Sequence, residues 1–236
     1  MAATSGFVIG LDQDALLAAA VEANAVVVIA AHPGGLLVQG TPLGHAWSPG
    51  GVLTAPVWDR LQDQVAHAVR VGYERTAAQD VGYGLRQLTD VANKALSPGI
   101  NDPTTAVHAL AHISALLCEL GDRDLSPVVL RDQNGRVRGV LQRPGLGELV
   151  DDALTQPRMY GAGDPGVMAR MFDLLGKLAW RFPPEQHFVV RCQLARLRST
   201  VAAQNFDSAQ TQQLQARSTR VEDRLAQSAT TKGRTN

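Results

Sequence analysis

The sequence predicts an α+β protein, predominantly helical, with a small N-terminal β unit packed on a helical core and one inserted β-hairpin. Three observations lead there. The first 50 residues alternate short valine- and leucine-rich runs with Pro-Gly and Gly-Thr-Pro turns. From residue 51 onward apolar residues recur at helical spacing, as in Leu61, Val65, Ala68 and Val69, then Leu85, Leu88, Val91, Ala92 and Leu96. Finally, Asp132-Gln133-Asn134-Gly135 separates two β-prone runs, and Asn-Gly in that setting is the strongest short hairpin signal. The expected organisation is a β-containing unit over 1–50 and a helical domain over 51–228 with a hairpin near 127–142. A disordered tail is expected over 229–236.

Each element has a local reason. Phe7-Val8-Ile9-Gly10 reads as a first strand, and Asp12 caps a helix running from Gln13 to Asn24. The valine-rich run 25–31 reads as a buried strand, followed over 32–43 by turn, strand, turn and strand. In shape this is similar to the half-barrel hairpins of biotinyl and lipoyl domains, without their modified-lysine tip. Residues 48–55 are a linker. The stretch 56–96 reads as one long or two broken helices, with Gly72, Gly82 and Gly84 weakening its middle by about 1 kcal/mol each. The segment 104–119 is nearly apolar all round, which places it at the centre of the core. Further helices follow over 146–155, from Pro165 to Phe182, over 185–203 and over 208–227. Pro183-Pro184 breaks the second of these. Leu194, Leu197 and Val201, with Leu214, Val221 and Leu225, suit a helical hairpin with one buried seam.

Composition narrows the function classes. Lys plus Arg and Asp plus Glu number 22 each, so the net charge is zero, which argues against nucleic acid as a partner. The two cysteines, Cys118 and Cys192, sit in apolar helical patterns and read as buried free thiols, which favours a reducing, cytoplasmic setting. No signal-peptide pattern opens the chain, and its longest apolar run, 25–31, falls short of the ~20 residues a bilayer requires. The expectation is a chain that is soluble taken alone.

The richest local motif is the elbow Ser97-Pro98-Gly99-Ile100-Asn101-Asp102-Pro103-Thr104-Thr105 between two helices. Pro98-Gly99 ends the first helix, while Asp102 followed by proline reads as an N-cap. A helix start offers free N–H groups to an anion. On the preceding helix Arg86 and Asp90 share a face, which Lys94 continues. Asp80, Arg86, Asp90, Lys94, Asn101, Asp102, Thr104 and Thr105 are therefore the candidate ligand-binding residues. Glu74, Arg75 and Asp80 form a second charged group that reads as an ion-pair network.

Catalytic signals are missing. His108 and His112 have the i, i+4 spacing of a metal pair, but no glutamate follows the first histidine, and no metal or cofactor is expected. There is no Gly-x-Ser-x-Gly elbow, Walker loop or Cys-x-x-Cys, so no catalytic residue is assigned.

The run Gln79-Asp80-Val81-Gly82-Tyr83-Gly84-Leu85-Arg86-Gln87-Leu88-Thr89-Asp90, with Lys94 to Ala106 after it, closely resembles a bacterial family of predicted membrane proteins. That family is domain of unknown function 2254. Gly72-Tyr73-Glu74-Arg75-Thr76, Ser5-Gly6-Phe7-Val8, Pro33-Gly34 and Gly40-Thr41-Pro42-Leu43 fit it too, so the likeness covers most of residues 5–200. Asp80, Arg86, Asp90, Lys94, Asn101, Asp102 and Thr104 lie on the motif. The resemblance implies several transmembrane helices before this region, and the chain looks like the portion without them. It implies no activity. The expectation is a ligand- or partner-binding module acting at the elbow on a small anion or as a homo-oligomer. The alternatives are a hydrolase or transferase using Asp90 or Asp102, and a purely structural oligomerisation module.

Overall fold

The structure, a computed structural model, describes residues 1–232, with side chains to Gln227. Its described residues form eight α-helices and two small sheets, a helix-dominated α+β protein. They fall into two compact units: residues 1–83 with 125–144, and 84–124 with everything from 145 onward.

The first unit holds both sheets. Strand β1 (Gly6–Leu11) lies between β3 (Leu36–Leu37) and β5 (Val69–Gly72), antiparallel to both. Strand β2 (Val26–Ile29) lies between β4 (Gly44–Trp47), antiparallel, and β7 (Val137–Leu141), parallel; β6 (Val128–Arg131) closes the far side as the hairpin partner of β7. Helices α1 (Gln13–Glu22) and α2 (Ala55–Ala68) supply Leu16, Ala19, Leu61 and Val65 to a core shared with Val8, Val27, Ile29, Leu37 and Leu141.

Two expectations change here. Helix does not continue through 69–72: the alternating Val69-Arg70-Val71-Gly72 pairs with β1 from Leu11↔Val69 to Phe7↔Gly72, so that segment is strand. The boundary expected at residue 50 likewise moves, because β5 and the inserted hairpin both belong to the first unit. β7 joins β2 in register Val27↔Gly139 to Ile29↔Leu141, a pairing between distant segments that no local pattern announces. The half-barrel likeness ends at β3, which leaves the β2–β4 pair to hydrogen-bond with β1.

A buried polar group fastens the hairpin. Asn24, just past the end of α1, has φ 45°, the left-handed conformation that asparagine tolerates. Its Oδ1 accepts from Arg138 Nη1 at 2.9 Å, and Arg138 Nε donates to Asp132 Oδ2 at 2.8 Å. Asp132 Oδ1 also accepts the N–H groups of Asn134 and Arg136 inside the turn. The hydrogen bond from Arg138 leads the causes that hold the Asp132 carboxyl below its ordinary range.

The second unit is a helical bundle: α3 (Tyr83–Ala95, whose first residue belongs to the first unit), α4 (Pro103–Gly121), α5 (Leu146–Tyr160), α6 (Pro165–Arg181), α7 (His187–Ala202) and α8 (Ser208–Lys232). The centre is α6, which buries Met168, Met171, Phe172, Leu174, Leu175 and Leu178 against α4, α7 and α8. Helix α4 buries Ala106, Leu110, Ile113 and Leu117 but leaves His108, His112, Ala115 and Glu119 facing outward, so it flanks the core. Phe182, after α6, seats its ring where Gly121 has no side chain; a Cβ there would stand 2.5 Å from Phe182 Cδ1. Of the hairpin seam expected between the last two helices, Leu194, Leu197, Leu214, Val221 and Leu225 are buried and Val201 is half-buried, and α8 packs chiefly against α6 and only secondarily against α7. Of the tail expected to be disordered, 229–232 continue α8, and 233–236 lie outside the described residues.

Candidate functional site

The elbow folds as its residue types dictate. Asp102 N–H donates to Ala95 O at 2.8 Å, and the N–H groups of Ile100 and Asn101 both donate to Ser97 O, at 3.0 and 2.9 Å. Ser97 Oγ donates to Lys94 O at 2.7 Å, closing the end of α3. Asn101 takes φ 49°, a conformation that suits asparagine or glycine. Asp102 Oδ1 then accepts the Thr105 N–H at 3.1 Å and Oδ2 accepts Thr105 Oγ1 at 2.5 Å, a complete N-cap for α4.

The candidate residues therefore form separate groups. Asp102 and Thr105 meet as a cap. Arg86 and Asp90 form an i, i+4 ion pair at 3.1 Å, more than half exposed on both sides, where such a pair contributes little to stability. Lys94, Asn101 and Thr104 are exposed. Asp80 belongs to the first unit, where its side chain is 3% exposed; Oδ2 accepts from Arg75 Nε and Nη2, each at 2.7 Å, and Oδ1 accepts the Gly82 N–H at 3.0 Å. That pair lies under the turn at Gly34, whose φ is 87° and where a Cβ would stand 2.5 Å from Asp80 Oδ2. Gly34, Arg75 and Asp80, which carry part of the family likeness, thus meet around the buried Asp80 carboxylate. Asp80 is built into the fold there. The ion pairing read from Glu74, Arg75 and Asp80 is realised between Arg75 and Asp80. Gln79 adds a second fastening, accepting the Leu11 N–H at 2.9 Å and donating to Leu11 O at 3.4 Å.

Thr105 hydrogen bonds, the side-chain one first, hold the Asp102 carboxyl below its ordinary range. A carboxyl depressed in the folded state stabilises the fold above its unfolded pKa near 4 and loses that contribution as pH falls through the lower folded value. The melting-temperature advantage of the wild type over Asp102→Ala is thus expected to be constant at neutral pH and to shrink below about pH 4. An advantage that stays constant into strong acid contradicts the cap.

His108 and His112 both face outward, and among the described residues no three His, Cys, Asp or Glu side chains gather as metal ligands. Cys118 and Cys192 are free thiols, but the burial expected of both is not found: Cys192 is exposed and Cys118 half-buried, enough for desolvation to push the Cys118 thiol up. No helix among the described residues is long and apolar enough to cross a membrane.

The family model described as "Predicted membrane protein (DUF2254)" matches residues 1–177. Uncharacterized proteins of Mycobacterium bovis and Mycobacterium tuberculosis are each 33% identical over 196 residues, covering 83% of this chain and 37% of the relative. The chain thus spans little more than a third of the length of these relatives. No solved structure matches it. With three quarters of its length under the family model and relatives matched across most of it, this chain belongs to the DUF2254 family of predicted membrane proteins.

Proposed function

We propose that this chain is a non-catalytic binding module of a membrane protein, and that the Ser97–Thr105 elbow docks a protein partner, namely a second copy of the chain. One observation carries this reading. The Asp102 carboxylate and the Ser97 and Thr105 hydroxyls are satisfied within the elbow, while Ile100 stands 51% exposed on a turn that three backbone hydrogen bonds hold fixed. An apolar side chain on a rigid, exposed turn suits a protein contact, because little conformational freedom is lost on binding. A small anion at the elbow is less favoured, since the Asp102 carboxylate already occupies the N-terminus of α4. The catalytic alternative has less support still: a carboxyl held low is a weak base near neutral pH, and Asp90 sits in a solvated ion pair. The membrane-spanning part of the family belongs, on this proposal, to the length of the relatives that the chain does not cover, and the free thiols favour the cytoplasmic face.

Sedimentation equilibrium tests it. The wild type is expected to self-associate as concentration rises, and Ile100→Asp to remain monomeric with an unchanged melting temperature. A monomeric wild type at the highest attainable concentration, or a variant that assembles equally well, overturns the proposal. A melting-temperature rise on adding inorganic phosphate, lost in Asp102→Ala, would return the elbow to the anion reading.

A further inference from the structure

We infer that the first unit carries a binding site for a small organic monoanion, a short apolar body with a carboxylate or equivalent oxyacid head. The site is a cleft of about 220 Å³ where the C-terminal ends of β1 and β7 approach the start of α1 and the turn after Gln79. Leu11 and Leu141 are buried and make an apolar floor. The rim is polar: Gln13, Gln79 and Gln142 carry carboxamides, and Arg143 is the single charged residue among those lining the cleft. Among the described residues the Arg143 guanidinium has no acidic partner. Asp12, next to two lining residues in sequence, is not among those lining the cleft; its Oδ1 accepts the Ala15 N–H at 3.0 Å and caps α1.

The chemistry of the ligand follows from that lining. A lone arginine presents two parallel N–H groups that match the two oxygens of an oxyacid, and it rejects a cation. Flanking carboxamides donate to the same head without adding charge, which favours a monoanion over a dianion. Leucine side chains gain nothing from a head group and favour an aliphatic tail. The volume falls below the ~300–1,000 Å³ typical of sites for drug-sized ligands, so the tail is short. Gln79 is already held by both hydrogen-bonding groups of Leu11, so one wall of the cleft is fixed before any ligand arrives. This inference concerns the other unit from the elbow and stands whether or not the elbow docks a partner.

Nuclear magnetic resonance titration of the full chain with hexanoate, hexanol and hexylamine decides it. Hexanoate is expected to give saturable shifts in the side-chain amides of Gln13, Gln79 and Gln142 and in the methyl groups of Leu141. Hexanol should bind about tenfold or more weakly, as loss of a charge-assisted hydrogen bond implies, and hexylamine not at all. Arg143→Gln should weaken hexanoate by a similar factor, and Val81→Trp, which fills the cleft from an exposed turn position, should abolish the shifts. The inference fails if hexanoate produces no saturable shift, if the shifts map elsewhere, or if hexanol binds as well as hexanoate. Unchanged binding by Arg143→Gln overturns it too. Should either variant fail to fold, the comparison of the three probes on the wild type still decides.

Discussion

Asp80→Ala is expected to destabilise the first unit by about 3 kcal/mol, the loss that follows when one partner of a buried ion pair is removed. The side chain is nearly inaccessible, and its loss leaves the Arg75 guanidinium without its carboxylate and the Gly82 N–H without an acceptor. Arg75 is 28% exposed, so water takes up part of the stranded charge and keeps the cost at the lower end of what buried pairs show. Gly34→Ala should reinforce the result from the other side. It places a methyl group against the same carboxylate at a φ that alanine adopts only under strain. Urea unfolding followed by tryptophan fluorescence reads this unit through Trp47 and Trp58, provided Trp180 is first replaced by phenylalanine. A midpoint unmoved by Asp80→Ala would mean that the carboxylate is not structural, and would restore it as a ligand-binding residue.

Phe182→Ala is expected to cost about 3–5 kcal/mol, the range for removing a buried aromatic ring from a packed core. The ring is 2% exposed and lies against Gly121, so its removal leaves a cavity between the end of α4 and the end of α6. Gly121→Ala tests the same contact by overfilling it and should cost about 1–3 kcal/mol. Because α4 to α8 lie wholly in the second unit, circular dichroism of the helical band reports chiefly on it. If Phe182→Ala shifts the fluorescence of Trp47 and Trp58 but leaves the helical band stable, the assignment of Phe182 to the bundle core is wrong.

Legibility in the sequence followed the range of each interaction. The caps at Asp12 and Asp102, the Asn134-Gly135 hairpin and the α8 seam are written within a few residues of where they act, and all are present. The strand at 69–72 was hidden because it directly follows a helix, and its partner β1 lies sixty residues earlier in the chain. The membership of the hairpin was hidden for the same reason. Among the site residues, the Arg86–Asp90 pair was readable from spacing and the Asp102 cap from the Asp-Pro dipeptide, whereas Thr105 as the partner of that cap and the burial of Asp80 under Gly34 needed the fold. Arg143 offered no local signal at all. An arginine after a strand is ordinary until the ends of β1 and β7 come together beside it.

The parallel union of β2 with β7 shapes how this protein emerges from the ribosome. The chain is made from its N-terminus, so β2 is released long before its partner, and one of its edges waits while all of 84–124 is synthesised. An open edge with apolar neighbours is an invitation to wrong pairing. The nascent chain therefore passes through a vulnerable interval, and shielding by a chaperone would matter most just before the 137–141 segment leaves the exit tunnel.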